Sequence, residues 1–285
     1  MADEPQRDLI AAHWLAAGQR PAADPAPCAM SLRERARAVA AAGYAGIGIL
    51  AAELAREVAA HGTAGVRAII EDAGLRHVEI EALSDWWLPG DAWPGVLGPM
   101  LEQGAAIGAR TIKATGDFSA SPAPLERMAQ AFAPVAAMAR DGGVPIALEV
   151  IAFSNVRNIP DAITVLGDAA GRGAGLMLDS WHFGRLGVSL APLRGLPEAA
   201  ILGVEISGVD SVPHDDMFRE TLDARCEPDR GRYDVGAFLG AVSETGYAGP
   251  IGVEVLCAGL RELPVVQALA RCQQAARRVA SIATT

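Results

Sequence analysis

The sequence predicts an α/β protein folded as a single (β/α)8 TIM barrel, and three observations carry that expectation. Short apolar, β-rich runs alternate with Ala-, Arg- and Glu-rich helical stretches along the whole chain. Eight such repeats in 285 residues make about 36 residues per unit, the usual size for this barrel. A doubly wound sheet would show the same alternation, but Gly46-Ile47-Gly48 lacks the rest of its Gly-rich phosphate-binding fingerprint. No linker or low-complexity stretch divides residues 1–285, so one catalytic domain is expected.

Taken in order, strands are expected over 10–15, 46–50, 76–83, 111–114, 145–151, 175–179, 201–207 and 251–256. The first is weak. Several of the others are near-continuous apolar runs, the pattern of parallel strands buried on both faces. Ser31-Leu32-Arg33-Glu34 is a capping box that opens a helix ending at Gly43. Further helices are expected over 51–60, 64–73, 95–107, 124–141, 160–169, 234–245 and 262–281. Gly74, Gly108 and Gly246 stand where a helix C-cap is wanted. The last of these helices is apolar at helical spacing and should cover the outer wall. Residues 84–94, with Trp86, Trp87 and Trp93 among Pro and Gly, read as a loop after the third strand. Residues 208–232 read as a long loop after the seventh. In a barrel both lie on the catalytic face, where the tryptophans either wall a pocket or pack within their loop.

Composition removes several functional classes. With 24 basic against 34 acidic residues the formal net charge is −10, which repels phosphate backbones, so no nucleic-acid partner is expected. No stretch approaches the ~20 apolar residues of a membrane span. The acidic Met1-Ala2-Asp3-Glu4-Pro5 lacks the parts of a secretory signal. Cys28, Cys226, Cys257 and Cys272 are scattered without a Cys-x-x-Cys, which fits a reducing cytoplasm. A homo-oligomer is compatible with the sequence.

Chemistry in such barrels sits at the C-terminal ends of the strands, and here those positions carry charge with regularity. Glu79 and Glu81 stand on the third strand, Lys113 on the fourth and Glu149 on the fifth. Asp179 and His182 close the sixth, Glu205 lies on the seventh and Glu254 on the eighth. One acid in an apolar strand is ordinarily a paired structural group. Four on consecutive strands repel one another unless something gathers them, and a divalent cation does so economically. His13, at the end of the first strand, either reaches the mouth or packs in the core. Lys113 is the single lysine among 24 basic residues. At the mouth, a compact ammonium would balance surplus carboxylates or hold a substrate oxygen.

The segments ALEVIAFSNVRNIPDA, DSWHFGRLG and GYAGPIGVEVL, in this order and spacing, resemble the xylose-isomerase-like sugar phosphate isomerase/epimerase superfamily. The resemblance implies one divalent ion held by Glu149, Asp179 and Glu254, with the fourth ligand, usually His or Gln, falling on Glu205. It implies that Glu149 and Glu254 also move the substrate proton, one on each face, and that His182 and Arg225 hold substrate oxygens. Lys113 and Glu81 are expected beside the substrate. An all-oxygen ligand set favours Mn²⁺ or Mg²⁺ over zinc. The members that act on abasic DNA gather three metals with many histidines, against five His in this acidic chain.

The sequence departs from the family pattern at three places. Glu205 replaces a neutral ligand, so four carboxylates outweigh one divalent ion. Either Glu205 is protonated or displaced, or Lys113, Arg225 or a protonated His182 offsets it. Asp229 stands where the loop motif has its first Gly, and Gly208 where an Asp is often found. The expected function is a metal-dependent isomerase or epimerase acting on a small sugar, keto-sugar or polyhydroxy carbonyl compound through a metal-bound enediolate. A dehydratase of the inosose dehydratase kind shares that intermediate and is the alternative. The departures also leave open a barrel that binds a sugar without turning it over.

Overall fold

The computed structural model describes residues 6–22, 26–90, 92–212 and 214–282. The acidic N-terminal pentapeptide lies outside them. Eight strands, β1 (Leu9–Ala11), β2 (Gly46–Leu50), β3 (His77–Leu83), β4 (Thr111–Ala114), β5 (Ile146–Glu149), β6 (Ala174–Asp179), β7 (Ile201–Ile206) and β8 (Ile251–Val253), close into one barrel in chain order. Every pairing is parallel, and β1 bonds to both β2 and β8. The strands are buried almost throughout, because helices cover the outer face and side chains fill the interior. The sequence expectation of a TIM barrel is therefore met.

The register sets the mouth. Lys113 pairs with Ala147, Glu149 with Met177, Asp179 with Glu205, and Glu205 with Gly252. Asp179 and Glu149 are the last residues of their strands, and Glu254 follows β8 directly. The acids of β5 to β8 consequently end at one level around one opening.

The helix starts follow the local chemistry. Ser31 accepts from the Glu34 N–H while Glu34 bonds back to the Ser31 N–H, the reciprocal capping box, and the helix Leu32–Ala41 follows. The stretch Ala51–Asp72 is two helical pieces broken at Gly62, matching the expected pair 51–60 and 64–73. The last helix, Val265–Ile282, packs on the first two helices and on Val235–Glu244, closing the outer wall where the barrel ends meet.

Two expectations change, and a helix stands after β6 where none was expected. The first strand ends at Ala11, and His13–Ala17 is a helix that stops at Gly18 in the left-handed conformation; a six-residue apolar run has no period that separates strand from helix. The expected loop 208–232 contains the helix Met217–Asp223, capped by Asp216, which accepts from the Arg219 N–H. The chain after β6 turns at once into the helix Ser180–Leu186, which Asp179 caps by accepting from the Trp181 N–H. No helix among the described residues is long and apolar enough to cross a membrane.

On the β1–β2 side, just past the strand ends, Arg35 is wholly buried and its Nη2 donates to Glu53 Oε1. The other Glu53 oxygen lies 3.4 Å from His13 Nδ1. Burial, with Arg35 and Arg56 adding to it, pulls the His13 imidazole down to about 3, so it is neutral. His13 therefore packs in the core, where its Nδ1 also accepts from the Leu50 N–H at 3.2 Å. Glu53 depends on Arg35 for its countercharge. Arg35→Met is expected to cost about 3–5 kcal/mol, the scale for stranding one member of a buried pair. Urea unfolding measures it, and an unchanged midpoint with unchanged slope would remove the pair from the stability of this barrel.

Candidate active site

The strand ends open into a cavity of ≈ 550 Å³ whose floor is polar and whose walls are largely apolar. Glu81, Lys113, Glu149, His182, Arg225 and Glu254 all line it. Ligand atoms of Glu149, Asp179, Glu205 and Glu254 lie within 4.8 Å of one another, and all four residues are buried. That spacing lets bonds of about 2.0–2.6 Å converge on one ion. A second combination, Glu149 and Asp179 with His182, is equally close-set.

Two cations stand among these acids. Lys113 Nζ donates to Glu205 Oε2 at 2.7 Å and lies 3.5 Å from Glu254 Oε1 and 3.9 Å from Glu149 Oε2. Burial would pull the ammonium down, but Glu149, Glu205, Glu254 and Glu81 outweigh it and hold Lys113 well above the usual lysine range. Arg225 Nη1 donates to Asp179 Oδ2 at 2.5 Å and lies 3.0 Å from Glu254 Oε2. Its Nε and Nη2 both donate to Thr221 Oγ1, and the guanidinium carbon sits 5.0 Å from the centroid of the Trp181 ring. Each guanidinium nitrogen is thus bonded within the protein, which makes Arg225 a clamp on two of the acids.

The donor set fits a divalent cation. Four carboxylates against Lys113 and Arg225 leave two negative charges, the charge one such ion neutralises. Glu205 Oε1 is buried and has no hydrogen-bond partner, a costly state for a carboxylate oxygen unless something binds it. Burial, with Glu254, Glu149 and Glu81 adding to it and Lys113 opposing, pushes the Glu205 carboxyl well above the carboxylate range. A fourth anion is tolerated in such a place when a further cation lies against it.

His182 is held in place by a backbone hydrogen bond. The Ala152 N–H donates to its Nδ1 at 3.2 Å, and Nε2 lies 3.5 Å from Glu149 Oε1. Glu81 accepts from the His13 backbone N–H at 3.0 Å. Burial, countered by Lys113 but aided by Glu254, raises Glu81 to about 7. Glu79, by contrast, is a paired structural acid, 2.6 Å from Arg110 Nη1.

The structure decides between the two roles left open for the tryptophans. Trp86 and Trp87 are buried in the barrel core, where Trp86 Nε1 donates to the Thr115 carbonyl and its ring meets Phe132. The wall is instead built by Trp14, Phe118, Phe153 and Phe218. Phe153 is bracketed by Phe118 and Phe218 at 5.2 and 5.3 Å between ring centroids and reaches His182 at 5.6 Å. These residues come from loops and short helices far apart in sequence, and no local spacing marks them.

A family model described as xylose isomerase-like TIM barrel matches residues 36–276. The chain belongs to this family. A 3-dehydroshikimate dehydratase of Pseudomonas putida is 27% identical over 126 residues, which cover 44% of this chain and 20% of the dehydratase's length. The IOLI protein, solved with a bound zinc atom, matches at a TM-score of 0.82 and 18% identity, covering 96% of this chain and 98% of that one. A D-allulose 3-epimerase from Methylomonas sp., solved with D-allulose, matches at 0.68 and 18%, covering 96% and 98%. At these identities the structural likeness speaks for the fold.

The departures from the family motif have local causes. A Cβ on Gly208 would lie 2.1 Å from the Arg230 carbonyl oxygen and 2.7 Å from that of Glu227, so this residue has no room for the Asp often found there. Gly208 and Cys226 exchange backbone hydrogen bonds at 2.9 Å in each direction, which folds residues 226–231 over the end of β7. Asp229 is not among the left-handed residues and accepts from Arg278 Nε at 2.8 Å, so position 229 does not need Gly. Gly208→Ala is expected to cost at least about 1–3 kcal/mol through overpacking and to loosen the loop that carries Arg225. Calorimetric melting checks it, and an unchanged Tm would show that the loop yields at no cost.

Proposed function

We propose that the chain is a divalent-metal-dependent enzyme, an isomerase or epimerase that moves a proton at the carbon beside a carbonyl in a small sugar, keto-sugar or related polyhydroxy compound. The observation that carries this reading is the convergence of two cavity-lining glutamates, Glu149 and Glu254, with Asp179 and Glu205 within 4.8 Å. Glu149, Asp179, Glu205 and Glu254 would hold the ion, Mn²⁺ or Mg²⁺ by their all-oxygen character. When bound, it would draw electrons from a carbonyl and an adjacent hydroxyl and acidify the C–H between them.

The remaining work belongs to side chains. Glu149 and Glu254 come from opposite neighbours of the β6–β7 pair, and each presents a carboxylate to the cavity for taking and returning a proton. Return by the second carboxylate inverts the carbon. Return at the neighbouring carbon shifts the carbonyl. His182 turns Nε2 toward Glu149 Oε1 at 3.5 Å and so helps to orient that carboxylate. Arg225 fixes Asp179 and Glu254 relative to one another. The ring of Phe118, Phe153 and Phe218 excludes water from the wall above His182.

A dehydratase is the second reading, favoured by the sequence similarity to 3-dehydroshikimate dehydratase. It begins with the same proton removal and ends with loss of a β-hydroxyl. Proton NMR in D₂O with Mn²⁺-loaded and Mg²⁺-loaded protein separates the two across a panel of ketoses and cyclic β-hydroxy ketones. Exchange at one carbon without loss of water supports the isomerase or epimerase; a new vinyl signal supports the dehydratase; neither, on any compound, overturns both. Glu149→Gln and Glu254→Gln are each expected to lower turnover by about 100- to 10,000-fold, the scale of a positioned acid–base group. Dialysis against chelator is expected to abolish turnover, and added Mn²⁺ to restore it.

A further inference from the structure

We infer that Lys113 and Glu205 form one functional unit, an ion pair that serves the acid cluster as a single neutral oxygen ligand on β7. The inference rests on the metal reading above and concerns how this chain builds its fourth ligand. Lys113 lies on β4 and Glu205 on β7, so the ammonium reaches across the barrel interior to Oε2 at 2.7 Å. Its distances to Glu254 and Glu149 are 3.5 and 3.9 Å, so Glu205 is its main acceptor. Oε1 of the same carboxylate is buried without a partner and remains available as a donor atom. One oxygen is engaged by the lysine and the other is free, the arrangement in which an outer hydrogen bond orients a ligating group.

The charge follows the same division. The pair is neutral, and the other three acids less Arg225 leave two negative charges for a divalent ion. The choice of lysine then has a reason in a chain whose other basic residues are all arginine. An ammonium is a compact point charge that bonds one oxygen. A guanidinium presents a planar fork that grips both oxygens of a carboxylate and would take the free Oε1. Gly252, beside Glu205 in the register, leaves space for this side chain: a Cβ there would lie 2.7 Å from Glu205 Cγ.

Mn²⁺ titration by calorimetry, with thermal melts of each protein as a folding check, tests the pair. Glu205→Gln, which strands the ammonium beside the ion, is expected to weaken Mn²⁺ by about 10- to 100-fold, the range for a disturbed outer partner. Lys113→Met/Glu205→Gln restores neutrality with a neutral oxygen ligand and is expected to bind within about 3-fold of wild type by the same reasoning. Lys113→Arg keeps the charge but blocks Oε1 and is expected to weaken binding by about 10-fold or more. Should a single variant fail to fold, the double variant alone carries the test. A double variant as weak as Glu205→Gln, or a Lys113→Arg protein that binds as wild type does, overturns the pair. A wild-type protein that binds neither Mn²⁺, Mg²⁺ nor Zn²⁺ overturns the metal reading itself.

Discussion

The constraint on which this site depends is the burial of four carboxylates within 4.8 Å of one another. Like charges so close in a dry place repel strongly, and the surrounding structure answers that repulsion. Lys113 is held against Glu205 from the far side of the barrel, and Arg225 is held against Asp179 and Glu254 by the loop after β7. Thr221 and the Trp181 ring in turn orient the guanidinium. The helix Met217–Asp223, which supplies Thr221, is therefore part of the site's electrostatics, although its own residues carry no reacting group.

Polar and apolar surfaces are divided by height in the cavity. The charged residues project from strand ends, where the closed barrel fixes their positions. The aromatic wall comes from segments above them, on Phe118, Phe153 and Phe218. This division leaves the strand-end carboxylates in a low-dielectric space, where fixed charges act more strongly than in water.

Much of this was legible in sequence. The strand–helix alternation set the barrel, and the acids at the ends of the fifth to eighth strands marked the mouth. Both signals are local: a buried parallel strand is an apolar run, and a charge inside one stands out. The capping box at Ser31 and the break at Gly62 are local in the same way. The aromatic wall was not legible, because its residues are brought together by loop paths that have no period. The tryptophans of the segment 84–94 stayed open between wall and packing for a related reason, since a loop after a strand can fold outward to the mouth or inward over the core, and Trp86 folds inward.

By itself the amino-acid sequence determined the fold class, the ring of acids and the isolated lysine, since each follows from residue type and spacing along one strand. Tertiary structure decided how those charges are shared. Only the closed barrel places Lys113 of β4 against Glu205 of β7, and only the folded loop places Arg225 against Asp179. It also decided that Gly208 can carry no side chain, because the obstructing carbonyl belongs to Arg230, more than twenty residues further along the chain. Charge pairing and steric exclusion depend on distance through space, and distance along the chain does not report it.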